Sequence, residues 1–315
     1  MMRAVTIRDG QIHIDEHPDP EPGAGQVLVR VHAAGLNGAD IHQLGGRYPA
    51  PPGSPQDIPG LELAGKVAAR GTGAMRFEEG ARVMGIVGGG GQAELAVVHE
   101  RQLMPVPDAL DGVSAGGVPE VFTTAHDALF TQAGLEPGER LLVHGGAGGV
   151  GTAAIQLAWA AGARVYATVR NADLRERVAD LGAEVLGPEE FADHGPFNVI
   201  LELVGAPNLA ANVSVLATGG RITVIGIGAG AKGELNLGAL MAVRGRVQGS
   251  MLRARPLEEK ALTARAMERS VLPLFAGGKI HVPIAATFEL DDAAEAYERF
   301  TSGGKLGKIV LEIAS

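Results

Sequence analysis

The stretch RLLVHGGAGGVGTAAIQLA, at positions 140–158, decides the fold of this chain. It predicts a buried strand, Arg140–His144, then a glycine-rich turn, and then a helix from Gly149 to Ala161. Glycines allow the backbone to approach a pyrophosphate, and the amino end of a helix supplies N–H donors. We therefore predict a dinucleotide-binding loop of the G-x-G-x-x-G type, with contacts from Gly146, Ala147, Gly148, Gly149, Val150 and Gly151.

The end of the next predicted strand, Arg164–Arg170, indicates which dinucleotide binds. Chains that bind NAD usually carry Asp or Glu there for the ribose 2′-hydroxyl, and this strand end has neither. Arg170 stands at that point with Thr168 and Asn171 as neighbouring donors, and a guanidinium suits a 2′-phosphate. The pattern favours NADPH, with a merely solvated Arg170 as the alternative. Asp173 is expected to cap the following helix.

Strands and helices alternate through residues 121–255, which predicts a Rossmann domain with a doubly wound parallel sheet. The expected elements include a helix over 124–132, a turn at Gly219-Gly220 and a last strand over 246–251. The fold class is therefore α/β.

The segments on either side of residues 121–255 have a different pattern of residues. Residues 1–120 contain short apolar runs separated by Gly and Pro turns, which is typical of a β-barrel-like domain. Within them, 45–60 holds so many prolines and glycines that we expect a rigid irregular loop. Residues 256–315 form a separate C-terminal segment, which begins with a long predicted helix over 257–275.

Composition excludes several classes of function. The chain has 315 residues and no cysteine, which rules out disulfides, thiolate metal sites and a cysteine nucleophile. A formal net charge of −9 argues against a broad basic surface for nucleic acid. No apolar run is typical of an export signal or a membrane span, so we expect a cytoplasmic protein.

Six segments besides the glycine loop carry a family resemblance: AAGLNGADI (33–41), GLELAGKV (60–67), GQAELAVV (91–98), VPEVFTTAHDAL (118–129), DLGAE (180–184) and GKIVLEI (307–313). With them the chain resembles the medium-chain dehydrogenase/reductase superfamily, and within it the zinc-free NADPH:quinone oxidoreductases. The segment RVQGSML (246–252) is similar to the p53-inducible quinone oxidoreductase branch. The resemblance implies a GroES-like β-barrel domain, a Rossmann domain inserted into it, and a C-terminal segment that returns to the first domain.

The chain departs from the zinc alcohol dehydrogenases of the same superfamily at two positions. Those enzymes have cysteine where Asn37 stands and histidine where Leu61 stands, and they carry a four-cysteine zinc lobe. Leucine cannot ligate zinc and a thiolate is absent, so no metal is expected. Glu62, Asp40 and His42 remain nearby, either as remnants of a ligand set or as ordinary structural residues.

The resemblance implies two candidate catalytic residues in the first domain. Tyr48 lies in the loop RYPAPPG (47–53), where the family keeps a tyrosine close to the nicotinamide ring between the domains. Its O–H could orient a carbonyl, or its ring could simply pack the loop. Asn37 could donate to a substrate carbonyl, or it could cap the following turn.

Further cofactor contacts are implied outside the glycine loop. Thr124 resembles a threonine near the nicotinamide end, and its alternative role is to cap the helix that follows. Four arginines between 244 and 255 form either a solvated rim or an attraction for the NADPH phosphates. The remaining matched contacts are Gly226, Ile227, Ser250, Met251 and Leu252.

The function that follows is an NADPH-dependent reductase of quinones or other activated C=C and C=O bonds. The alternatives are an enoyl-thioester reductase on the same scaffold and a non-catalytic NADPH-binding protein of the crystallin type. The negative net charge argues mildly against an acidic acyl carrier. Because 246–252 reads as an unpaired edge strand, we expect a homodimer whose sheet continues across a two-fold axis.

Overall fold

A computed structural model describes residues 1–313 as two compact units. The first unit comprises residues 1–123, 252–303 and the segment that begins at Lys308. The second comprises residues 124–251 and 304–307. The divisions thus fall a few residues from those expected at 120 and 255. No helix among the described residues is long and apolar enough to cross a membrane.

Strands predominate in the first part of the chain and alternate with helices in its middle part. In chain order, the strands are β1 (Met2–Arg8), β2 (Gln11–His17), β3 (Gln26–Gly35), β4 (Glu62–Arg70), β5 (Arg82–Ile86), β6 (Leu95–His99), β7 (Leu103–Pro105), β8 (Arg140–His144), β9 (Arg164–Thr168), β10 (Ala183–Leu186), β11 (Phe197–Glu202), β12 (Leu216–Val224), β13 (Arg246–Gly249), β14 (Ile284–Glu289) and β15 (Lys308–Glu312). The helices are α1 (Gly38–Leu44), α2 (Gly112–Gly116), α3 (Pro119–His126), α4 (Gly149–Ala160), α5 (Arg175–Ala179), α6 (Leu209–Ser214), α7 (Leu237–Ala242), α8 (Leu257–Ser270), α9 (Leu272–Ala276) and α10 (Ala293–Thr301).

The first unit is built on a seven-stranded sheet in the order β14-β15-β3-β4-β5-β7, with β6 paired to β3. Strand β3 shows how the sequence produces it, since Val27, Val29 and Val31 are fully buried while Arg30 is exposed. That alternation of period two places one row of side chains in the core. The strands β1 and β2 form a separate antiparallel pair, and the C-terminal strand β15 pairs antiparallel with β3 to extend the larger sheet.

The second unit contains a six-stranded parallel sheet in the order β10-β9-β8-β11-β12-β13. Its central strands have apolar middles, and Leu141, Leu142 and Val143 of β8 are fully buried, as expected where both faces of a parallel sheet are covered. The strand order reverses beside β8, and ligands of such sheets bind at the carboxyl ends of the strands there. The predicted α/β fold class, with a β-rich domain and a doubly wound sheet, is confirmed.

The predicted turn at Gly219-Gly220 is wrong, because both glycines lie inside β12. The pairing with β11 slips there: Phe197 faces Leu216, whereas Val199 faces Arg221. Gly219 has φ +75°, a conformation that glycine adopts without strain. The glycines therefore mark an irregularity within a strand rather than its beginning.

Two helix predictions also need correction. The expected helix over 257–275 is divided into α8 and α9, because Pro273 has no N–H with which to continue the first helix. The helix expected over 124–132 begins earlier, at Pro119, and its last turn, Asp127–Gln132, is a π-helix.

Candidate active site

The glycine loop connects β8 to α4, and its glycines are required by close packing. A Cβ on Gly146 would lie 2.9 Å from the Cβ of Ala167, and one on Gly151 would lie 2.9 Å from the Cα of Gly146. A Cβ on Gly148 would meet only the carbonyl oxygen of Gly145, at an ordinary 3.5 Å. Gly146 and Gly151 thus allow the turn to close, whereas Gly148 leaves an open face on which a ligand can rest.

The amino end of α4 is arranged to receive an anion. Gly148 is the N-cap residue, with extended backbone and no side chain that could occupy the first N–H groups of the helix. Those N–H groups and the helix dipole favour negative charge at this end. On the other side of the loop, the carbonyl oxygen of Ala147 accepts a hydrogen bond of 2.9 Å from the N–H of Gly307. The residues present fit a dinucleotide pyrophosphate.

A buried hydrogen-bonded chain supports this loop from beneath. The Thr168 hydroxyl lies 3.0 Å from Nδ1 of His144 and accepts a 3.4 Å bond from the N–H of Gly145. The Asn212 amide donates to Oε2 of Glu202 at 2.8 Å and turns its Oδ1 toward Nε2 of His144 at 2.7 Å. Because Oδ1 only accepts, the proton of the neutral imidazole lies on Nε2. Burial lowers the pKa of His144, which keeps the ring neutral.

Glu202 is a functional support that sequence reasoning missed. It ends β11, is 3% exposed, and accepts hydrogen bonds from the N–H groups of Val204 and Gly205 at 2.7 and 2.8 Å. The only sequence signal is an acidic residue at the end of an apolar strand. Its carboxylate shapes the loop after β11, beside which Gly226 packs so closely that a Cβ would lie 2.8 Å from the Cα of Leu203. Ile227, the next predicted contact, is exposed.

The end of β9 contains the residues predicted to select the cofactor. Arg170 is exposed, and within residues 1–313 no hydrogen bond or ion pair holds its guanidinium. Asn171 accepts the N–H of Asp173 at 3.0 Å and is therefore the N-cap of the following turn, so the capping role expected of Asp173 is wrong. Thr168 is buried beneath the loop, where its hydroxyl is committed to His144.

The other predicted cofactor contacts lie on both sides of the unit division. Thr124 is buried inside α3, so the expectation that it caps a helix is wrong. The Ser250 hydroxyl donates to Oδ2 of Asp127 at 3.0 Å, and the neighbouring Met251 is 55% exposed. Leu252 is buried and belongs to the first unit.

In the first unit, Asn37 belongs to a buried cluster around the ammonium of Lys308. That ammonium donates to Oε1 of Glu62 at 2.6 Å, to Oδ1 of Asn37 at 2.7 Å and to the carbonyl of Leu36 at 2.7 Å. The amide of Asn37 donates to Oε1 of Glu62 at 2.9 Å and to the carbonyl of Gly35 at 3.2 Å. Both amide hydrogens are therefore engaged inside the protein, and this arrangement leaves none for a substrate carbonyl.

The same cluster bears on metal binding. The Lys308 ammonium lies between Oε1 of Glu62 and Oδ1 of Asn37, which stands at one of the two lost ligand positions, and Leu61, at the other, is buried and apolar. This donor set does not fit zinc, which takes thiolate, imidazole or carboxylate groups without a competing cation. Within residues 1–313 no three His, Cys, Asp or Glu side chains are grouped as a metal site.

Asp40 caps α1 from within the core. Its carboxylate accepts the N–H of Asn37 at 2.8 Å and that of Gly60 at 3.1 Å. Burial raises the pKa of Asp40 to about 6, against the lowering effect of these two bonds and of Lys308. Its place in a capping box with Asn37 supports the structural interpretation, and the alternative cap role of Asn37 is present as well.

Of the two candidate catalytic side chains, the Asn37 amide is already hydrogen-bonded within the protein, and only the Tyr48 phenol remains available to a substrate. It is half-buried, and its phenol oxygen makes no hydrogen bond to any residue within 1–313. Burial and the Glu120 carboxylate raise the pKa of Tyr48, and the Arg253 guanidinium opposes them. The phenol therefore remains a protonated donor at neutral pH. Arg253, for which the sequence suggested only a solvated rim or an attraction for phosphates, donates to the Tyr48 carbonyl at 2.9 Å.

Two known families match parts of the chain. Residues 23–108 match the alcohol dehydrogenase GroES-like domain, and residues 177–311 match the family described as zinc-binding dehydrogenase. The rat (Rattus norvegicus) quinone oxidoreductase is 32% identical over 305 residues, which is 93% of this chain and 90% of that protein. One subunit of the phenolphthiocerol/phthiocerol polyketide synthase of Mycobacterium tuberculosis is 31% identical over 96% of this chain, a match that covers 14% of the synthase subunit.

Solved structures agree over the whole length. An alcohol dehydrogenase superfamily protein from Novosphingobium aromaticivorans is 30% identical with a TM-score of 0.89 and covers 100% of both chains. The mycobacterial protein Rv1454c, solved in complex with NADPH, is 26% identical with a TM-score of 0.86 over 99% of this chain and 100% of its own.

Proposed function

Because the chain belongs to the quinone oxidoreductase family of the medium-chain dehydrogenase/reductase superfamily, whose members use a nicotinamide cofactor, we propose that it reduces a quinone or a similarly activated C=C or C=O acceptor with NADPH. The observation that carries the proposal is the free phenol of Tyr48, half-buried in a unit where no three His, Cys, Asp or Glu side chains of residues 1–313 are grouped as a metal site. The glycine loop of the other unit supports nicotinamide dinucleotide binding.

The choice of NADPH rests on Arg170. Arg170 follows β9, whose last residue, Thr168, accepts the N–H of Gly146 in the glycine loop, and its exposed guanidinium has no partner within residues 1–313. A 2′-phosphate would give it one, in the planar two-pronged geometry that arginine favours. The acid that would favour NADH at this position is absent from the sequence.

When bound, NADPH supplies a hydride from its nicotinamide ring. The chain contributes orientation and one hydrogen-bond donor. The Tyr48 O–H donates to the acceptor oxygen, on which negative charge develops, and water supplies the proton that completes reduction. Tyr48 keeps its own proton because its pKa is raised.

We infer that zinc takes no part. The Lys308 ammonium supplies a positive charge between Glu62 and Asn37, and Asn37 stands at one of the two positions where the resemblance implies a lost zinc ligand. All three hydrogens of that ammonium are engaged by protein oxygens, so it stabilises the fold and does not polarise a substrate.

The test is a substrate panel with purified protein. NADPH oxidation is followed with a simple quinone, with a trans-2-enoyl thioester and without acceptor. Quinone-dependent oxidation supports the proposal. Oxidation with the thioester alone assigns the second candidate, which the match to a segment of a polyketide synthase favours. Tight NADPH binding without any turnover makes the chain a non-catalytic binding protein.

We also propose a homodimer through β13. This strand ends the sheet of the second unit, and its outer edge has no partner strand within residues 1–313. Val247 on the strand is 37% exposed, and Leu237 and Met241 on the preceding helix are 63% and 76% exposed. An open edge next to apolar side chains suits a symmetric second copy. Sedimentation at micromolar concentration should give twice 32.3 kDa, and a monomer alone refutes the dimer.

A further inference from the structure

Arg253 is buried in the first unit, with 3% of its surface exposed. The sequence suggested a solvated rim or phosphate attraction for the arginines between 244 and 255, and Arg253 does neither. Its Nε donates to the carbonyl of Gly88 at 2.8 Å, its Nη1 to the carbonyl of Tyr48 at 2.9 Å, and its Nη2 to Oε1 of Gln43 at 2.5 Å.

The three acceptors belong to separate parts of the chain. Gln43 lies in α1, Tyr48 in the irregular loop after it, and Gly88 in the glycine-rich stretch after β5. Gln43 also donates to the carbonyl of Gln56 at 3.2 Å, which joins the far side of the loop to the same assembly. A planar guanidinium fixes the directions of its donors, so this one side chain determines how the three segments meet.

Arg253 holds Tyr48 at two points. Besides the bond to the backbone carbonyl, the guanidinium carbon lies 5.0 Å from the centre of the phenol ring, within cation–π distance. The restraint matters because the other local restraints act on the backbone: Arg47 donates its N–H to the carbonyl of His42 before Tyr48, and prolines stiffen the loop after it, but neither fixes the phenol ring.

We propose that Arg253 is a positioning residue that fixes the Tyr48 loop and ring so that the phenol O–H points at the acceptor. The inference rests on the proposed function of Tyr48. Lysine cannot replace Arg253, because an ammonium has neither the fork that reaches three acceptors nor the flat face that lies against a ring.

The kinetic test uses Arg253→Lys, Tyr48→Ala and the double variant, with Arg265→Lys as the matched control. Arg265 is a half-buried arginine of the first unit, which donates to the carbonyl of Leu103. Arg253→Lys should lower kcat with a quinone about five- to twentyfold and leave the Kd of NADPH within about twofold. In the Tyr48→Ala background the same change should cost less than about twofold, because the group it positions is gone.

An NMR measurement separates this inference from the proposed function. The chain has three tyrosines, so ring-labelled tyrosine gives three sets of signals, and the set lost in Tyr48→Phe belongs to Tyr48. Arg253→Lys should shift or broaden that set and leave those of Tyr166 and Tyr297 in place, whereas Arg265→Lys should move none of the three. If no acceptor is reduced but the Tyr48 signals move, the restraint stands and the proposed function falls.

Two results overturn the inference. One is Tyr48 signals that stay unchanged in Arg253→Lys, and the other is equal losses of kcat with and without the Tyr48 ring. Should Arg253→Lys fold poorly, Gln43→Ala removes only one of the three acceptors. It should shift the same Tyr48 signals by a smaller amount, and unchanged Tyr48 signals there overturn the inference too.

Discussion

The glycine loop of the second unit differs in construction from the polar contacts of the first unit, which are those of Arg253 around Tyr48 and of Lys308 around Asn37. The loop is continuous in sequence, and its backbone performs the binding, so Gly146 and Gly151 are needed for the space they leave empty. The polar contacts of the first unit join side chains that are far apart in the chain: Lys308 contacts Glu62 across 246 positions, and Arg253 contacts Gln43 across 210. A binding site made of backbone can be recognised in a sequence, whereas one made of long-range side-chain contacts cannot.

The largest effect is expected from removing the Lys308 ammonium, around which the buried polar cluster of the first unit is built. Lys308→Met leaves the Glu62 carboxylate buried without its partner, and breaking a buried pair costs about 3–5 kcal/mol. We expect that loss in urea unfolding, with the NADPH affinity of folded protein unchanged because the loop belongs to the other unit. Adding Glu62→Gln should restore at least half of the loss. A single variant within about 1 kcal/mol of wild type would show that the ammonium is dispensable.

The next prediction concerns the cofactor. Arg170→Ala removes a charged hydrogen bond worth about 1.5–3 kcal/mol, so NADPH affinity should fall about ten- to a hundredfold while NADH affinity barely changes. Arg164→Ala, at the exposed start of the same strand, is the matched control and should leave both affinities intact. Equal losses for NADPH and NADH would mean that Arg170 does not contact the 2′-phosphate.

Two glycines test whether close backbone packing in the glycine loop requires glycine. Gly151→Ala forces a Cβ into the first turn of the loop and should cost about 1–3 kcal/mol of stability, with weaker NADPH binding. Gly148→Ala has room within the protein and should unfold like wild type. Thermal melts compare the stability of the two variants, and fluorescence titration compares their affinity for NADPH. Equal stability of the two variants contradicts the packing argument.

The smallest expected effect belongs to Tyr48. A neutral hydrogen bond is worth about 0.5–1.5 kcal/mol, so Tyr48→Phe should lower kcat about two- to tenfold. Tyr48→Ala should lower it further, since the acceptor also loses a wall of its pocket, and both should bind NADPH normally. A thousandfold loss in Tyr48→Phe would make the phenol an obligatory acid, and unchanged kinetics in Tyr48→Ala would reduce it to loop packing.

The successes and failures of sequence reasoning follow the same division. The parallel sheet and the glycine loop depend on local signals and were predictable. The turn expected at Gly219-Gly220 failed because a glycine pair marks a strand irregularity as readily as a turn. Asn37 was interpreted from its position alone, whereas its amide is engaged by Lys308 and Glu62. Nothing near Arg253 in the sequence points to Gln43 or Gly88.

The central claim is that this chain reduces its acceptor with NADPH and without a metal. The most direct measurement follows NADPH oxidation with a quinone by protein dialysed against EDTA, with bound zinc determined on the same sample. We expect quinone-dependent turnover at the undialysed rate with far less than one zinc per chain. Activity that disappears with EDTA and returns in proportion to added zinc would contradict the claim.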